Sequence, residues 1–146
     1  MTSPVSPLCP TPAPMAVPSA APDAPRGVIL FAHGSRDPLW KRPIEAVAER
    51  LAQQQPGQQV ACAYLELTTP DLMTVCTDMV NAGCGAITVV PMFLGQGRHA
   101  REDLPLLIAE LRERYPALAI YLQPAVGEDE RVLTLLAQIA GEAPAP

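Results

Sequence analysis

The sequence predicts an α/β fold: an open parallel sheet of about four strands with helices on both faces. Two patterns predict it. Short apolar runs recur four times, and each is followed by a stretch whose apolar residues return every three or four positions. Cap and turn residues mark each change of pattern. Parallel strands need crossovers long enough to hold a helix, and this β-α-β-α-β-α-β-α alternation supplies them.

Residues 27–32 form the first run and end at His33. Ile44, Val47, Ala48 and Leu51 then repeat at helical spacing, with Pro43 suited to a first turn and Pro56-Gly57 to a stop. Residues 59–67 read as the second strand. Thr69-Pro70-Asp71 opens a helix carrying Leu72, Val75, Met79 and Val80, which ends at Asn81-Ala82-Gly83. Residues 86–93 are the third strand, whose ladder should stop near Pro91 because proline has no N–H to donate. Leu104, Leu107, Ile108 and Leu111 mark a third helix, expected to start near Asp103 so that Pro105 falls in its first turn. Residues 117–123 give a fourth strand, and 128–140 a last helix through Val132, Leu135, Leu136 and Ile139.

Composition narrows the function. A chain of 146 residues, 49% hydrophobic and 17% charged, can bury one core. A formal charge of −5 and 4% aromatic residues argue against a nucleic-acid partner. No apolar run approaches the roughly 18 residues that span a membrane, so a soluble protein is expected. Eight of the 18 prolines lie in residues 1–25, without apolar periodicity and without the charged start of an export signal. That segment reads as a disordered tail, and 26–142 as the folded domain. Cys9, Cys62, Cys76 and Cys84 fit no zinc spacing and read as reduced thiols of a cytoplasmic protein.

In parallel sheets, ligands bind beyond the carboxyl ends of the strands. There the sequence places His33-Gly34-Ser35-Arg36-Asp37-Pro38, Glu66, and Gly95-Gln96-Gly97-Arg98-His99-Ala100-Arg101. The chain has two histidines, and both fall on this edge in predicted loops. Two imidazoles with a carboxylate suit Co, Fe, Ni or Zn better than Ca or Mg. Glu66 could instead cap a helix or pair with an arginine. Gly95-Gln96-Gly97 is half of a dinucleotide fingerprint, at the wrong strand and without its third glycine. Ser35 lacks the G-x-S-x-G elbow of a hydrolase, and no cysteine lies in an edge loop to act as nucleophile.

These residues carry a resemblance. Ala32-His33-Gly34-Ser35-Arg36-Asp37-Pro38 resembles the opening motif of the sirohydrochlorin chelatase (CbiX/SirB-type) family. Pro91 through Pro105, with His99 followed by Asp103-Leu104-Pro105, resembles its second motif, and Tyr64-Leu65-Glu66 its strand end between them. The likeness spans nearly all of 26–140, in order; the proline-rich tail is outside it. It implies insertion of Co2+ or Fe2+ into a tetrapyrrole on the way to cobalamin or sirohaem, the metal being a substrate with no permanently bound cofactor. It also implies a short, one-half-domain form that pairs as a homodimer. Carried over by motif, His33 and His99 bind metal and take pyrrole protons.

The chemistry of the residues agrees. Metallation requires the metal to shed water while two pyrrole N–H protons leave. An imidazole, with an ordinary pKa of about 6.5, can both coordinate and accept a proton. Glu66 would act as a second base or neutralise the dication. Ni2+ fits the same ligands as Co2+ and Fe2+. Sirohydrochlorin is a polycarboxylate, and Arg36, Lys41, Arg42, Arg98 and Arg101 form a basic rim beside the edge. Ser35, Arg36, Arg98 and Arg101 are the candidate substrate-binding residues. A carrier of metal or tetrapyrrole on the same fold would need the same ligands and is the alternative.

Overall fold

The computed structural model of the protein describes residues 24–142 and 144. Almost all of the expected tail, and Cys9 with it, lies outside the described residues. The elements follow in the expected alternation: β1 Arg26–Ala32, α1 Arg42–Gln54, β2 Gln58–Tyr64, α2 Leu72–Asn81, β3 Ala86–Pro91, α3 Arg98–Arg114, β4 Ala119–Leu122 and α4 Glu130–Gly141. A single 3-10 turn, Val126–Glu128, joins β4 to α4. The sheet is fully parallel in the order β2-β1-β3-β4.

Strand alternation assigns the two faces. Ile29 and Phe31 of β1, Ile87 and Val89 of β3 and Ile120 of β4 point one way. They meet Leu72, Val75, Cys76 and Met79 of α2 and Ala100, Leu104, Ile108 and Leu111 of α3, all buried in one core. Cys62, next in sequence to the core residue Ala63, faces the other way and lies under Ile44 of α1. The core is therefore one-sided. Neither α1 nor α4 has a buried residue.

Three expectations change. First, α3 starts at Arg98, not near Asp103, and Pro105 lies inside it. An interior proline costs about 3 kcal/mol; the helix tolerates it because Ala100 and Leu104, 0% and 1% exposed, extend the stripe of Ile108 and Leu111 by one turn. His99 consequently sits on the first turn of a helix and not in a loop. Second, β2 ends at Tyr64, so Glu66 lies two residues past the strand in a bend. Third, α4 does not cover the sheet. It packs against the 3-10 turn, and its apolar residues stay open.

Candidate active site

Because the sheet is parallel, β1, β2 and β3 deliver their carboxyl ends to one edge. The ladder continues briefly beyond the strands. Leu65 N donates to Ala32 O at 2.9 Å, Glu66 N to His33 O at 3.0 Å, and Met92 N to Phe31 O at 2.7 Å. His33 is thus held by its main chain beside Glu66, and its ring lies 4.6 Å from that of Phe93, tilted by 48°. A half-buried imidazole packed on an aromatic ring has few rotamers open to it.

The turn after His33 is built into the turn after Glu66. Ser35 N donates to Thr68 Oγ1 at 3.0 Å, and Thr68 Oγ1 donates to Ser35 O at 2.8 Å. Gly34 has φ of +98°, and a Cβ there would collide with the carbonyl of Glu66. Glycine is required twice, for conformation and for space. Leu67 adopts φ of 60°, an uncommon conformation for a branched side chain, at the residue that follows Glu66. Ser35 Oγ accepts from Asp37 N and Asp37 Oδ1 from Leu39 N, so both side chains shape the loop itself.

His99 reaches the same edge from α3. Gly97 caps that helix in an extended conformation, and Arg98, His99 and Arg101 lie exposed on its first turns. Arg98 Nε pairs with Glu102 at 3.1 Å and Lys41 Nζ with Glu45 at 3.1 Å. Among the described residues Arg36, Arg42 and Arg101 make no ion pair. Arg101 and Gln96 line a cleft of about 370 Å³ together with Leu104, Leu122 and Gln123, at the mouth between β3 and β4. His33 and Glu66 are main-chain neighbours and His99 shares their edge. Among the described residues, however, no three His, Cys, Asp or Glu side chains stand close enough to enclose a metal.

Sequence reasoning missed Thr68, Phe93 and the Gln96–Gln123 cleft. No local pattern announces a threonine that bonds a residue 33 positions away. Tyr64, at the end of β2, buries a hydroxyl that has no hydrogen-bond partner, with Trp40 6.2 Å away. Burial, then Cys62 and Glu45 nearby, push its pKa up to about 12, so the phenol stays protonated. The three described thiols are free: Cys62 half-buried, Cys76 and Cys84 buried, and burial lifts Cys76 to about 11.

The family pattern described as CbiX matches residues 27–143. The chain belongs to the CbiX family. This bears out the resemblance carried by the two histidine motifs. The sirohydrochlorin cobaltochelatase of Methanococcoides burtonii is 32% identical over 82 residues, 56% of this chain and 63% of that protein. The chain therefore spans a little under two thirds of that CbiX relative. A CbiX protein structure from Marinobacter aquaeolei VT8 superposes with a TM-score of 0.70 at 34% identity, covering 80% of this chain and 94% of that one. The sirohydrochlorin chelatase SirB of Bacillus subtilis subspecies spizizenii, solved with cobalt, has a TM-score of 0.66 at 29% identity, covering 78% of this chain and 49% of that one. The CbiX fold is shared along almost the whole described domain.

Proposed function

We propose that this chain is a sirohydrochlorin chelatase, inserting Co2+ or Fe2+ into the macrocycle in cobalamin or sirohaem biosynthesis. The reading is supported by the positions of His33, Glu66 and His99, which follow β1, β2 and β3 at the carboxyl edge of the sheet in a member of the CbiX family. Metal and macrocycle are both substrates, and no cofactor is permanently bound. Residues 26–142 act as the working unit, with residues 1–25 as a tail outside the chemistry. The compartment is the cytoplasm; among the described residues no helix is long and apolar enough to cross a membrane.

His33 and His99 bind the incoming dication through neutral imidazole nitrogens, replacing part of its water shell. As the macrocycle takes the metal, two pyrrole N–H protons leave, and the imidazoles released from the metal accept them. Glu66, exposed beside His33, offsets positive charge while the dication is held. Arg36 and Arg101 face the substrate carboxylates, and Arg98 joins them by turning from Glu102, an exposed pair with little energy to lose. Ser35 contributes through the backbone of its loop. SirB is twice the length matched here, which supports the pairing of two copies of this chain into a homodimer.

The test is anaerobic metallation of sirohydrochlorin, followed by absorbance with Co2+ and separately Fe2+. Wild type should outrun the uncatalysed reaction, and His33→Ala and His99→Ala should lose most of that excess while remaining folded. Binding without acceleration would instead make the chain a carrier.

A further inference from the structure

The carboxyl edge of the sheet exposes apolar side chains that the opposite edge does not. Among the described residues, the large apolar side chains exposed in loops are Leu39, Trp40, Leu67 and Leu94. All four follow β1, β2 or β3, and the described turns at the amino ends of the strands expose none. A single exposed leucine is ordinary, but a set gathered at one end of a sheet marks a surface that meets something.

Two of them flank His33. β1 lies between β2 and β3, so the loop of Leu67 stands on one side of the histidine and the loop of Leu94 on the other. Neighbouring strands are about 4.8 Å apart, which separates the two loops by about 10 Å where they leave the sheet. Leu67 is 56% and Leu94 68% exposed.

Both leucines are held out on fixed backbone. Thr68 N donates to Glu66 O at 2.7 Å across Leu67, whose φ is 60°. A bond that closes over one residue of positive φ is the pattern of the rare, strained γ-turn. Glycine or asparagine would adopt that φ at less cost. Thr68 clamps the turn to Ser35, so the strain cannot relax without breaking the clamp. On the other side, Gly127 N donates to Phe93 O at 2.9 Å, and a Cβ on Gly127 would collide with the Leu94 main chain. The 3-10 turn is therefore seated directly on Leu94. An exposed leucine in a strained turn adds little to the free fold; its side chain contributes when something covers it.

We propose that Leu67 and Leu94 position the tetrapyrrole over His33, meeting its apolar ring from either side while its carboxylates reach outward to Arg36 and Arg101. This rests on the proposed function and adds to it the residues that recognise the ring itself. The substrate is a flat conjugated ring edged with carboxylates, and arginines can bind only the edge. Apolar side chains beside the histidine suit the ring, and the cations outside them, which make no ion pair among the described residues, suit its anionic rim. The ring is then located by contacts that leave both imidazoles free for the metal.

The test is titration of sirohydrochlorin into the metal-free full chain, followed by the absorbance of the macrocycle. Leu67→Gly and Leu94→Ser should each weaken binding about tenfold, and together about 100-fold, because they act from opposite sides. Leu67→Met should bind as wild type does. The urea midpoint separates this role from a structural one. A packing leucine lost to glycine lowers the midpoint, whereas Leu67→Gly, relieved of the positive φ, should keep or raise it. Leu67→Asn also tolerates that φ and should give the same result without the added chain freedom of glycine. Cobalt binding, measured by calorimetry, should be the same in every variant. Wild-type affinity for the macrocycle in both Leu67→Gly and Leu67→Asn, or a midpoint that falls in both, would overturn this assignment and leave the metallation result standing. A wild type that neither binds nor metallates sirohydrochlorin would overturn the proposed function and this assignment with it.

Discussion

Thr68 bonds both backbone groups of Ser35, accepting from its N–H and donating to its carbonyl. One side chain thereby joins the loop that carries His33 to the loop that carries Glu66, a role that neither loop reveals alone. Thr68→Val keeps the shape and removes both bonds, leaving a half-buried N–H unsatisfied. A loss of about 1–3 kcal/mol in denaturant unfolding is expected. The rate of metallation should fall with it, and Thr68→Ser should restore both. Unchanged stability in Thr68→Val would show that the two loops are held by the strand ladder alone.

Gly34→Ala should be more damaging. The new methyl meets the Glu66 carbonyl in a backbone conformation that L residues avoid. The positive φ costs about 1–2 kcal/mol by itself, and overpacking adds typically 1–3 kcal/mol. A drop of several degrees in Tm should accompany lost activity. Gly57→Ala, where the added carbon meets nothing, is the control and should leave both unchanged.

Under the proposed function, a variant at Arg101 separates substrate recognition from metal handling. It lines the cleft between β3 and β4 without an ion-pair partner among the described residues. Arg101→Gln should raise KM for sirohydrochlorin by about tenfold, the worth of one charge-assisted contact. Cobalt binding by the free protein, measured by titration calorimetry, should stay the same. Weakened cobalt binding would move Arg101 from the carboxylate rim into the metal site.

The start of α4 is sensitive to acid. Hydrogen bonds from Arg131 hold the Asp129 carboxyl down at about 2, against an ordinary 3.8. A carboxyl whose folded pKa is depressed stabilises the fold above its unfolded pKa and loses that contribution as pH falls through the folded one. Hydrogen-exchange protection at the first turn of α4, taken relative to the intrinsic exchange rate at each pH, should therefore fall between about pH 4 and pH 2. Asp129→Asn should remove that acid limb and leave exchange in α2 unaltered.

Burial makes the described thiols poor nucleophiles. Cys76 and Cys84, both buried with raised pKa values, should resist iodoacetamide at pH 8 and react once the chain is unfolded. Rapid labelling of either in the native protein would mean that α2 opens from the core.

The order of strands and helices was legible because two hydrophobic periods are local properties, read without knowing where the chain goes next. The edge that bears His33, Glu66 and His99 was legible as well, since parallel strands put their carboxyl ends together whatever their order. The motifs at His33 and His99 were enough to name the family. Other features depended on partners distant in sequence. The start of α3 was set by burial of Ala100 beside Leu104 and not by Pro105, and the loop clamp came from a hydroxyl 33 residues from its partner. The apolar stripe of α4 was visible from its spacing, but spacing cannot say what a stripe rests on. Only the tertiary structure shows that α4 leaves its own sheet uncovered, because that depends on where the Gly127 turn is seated.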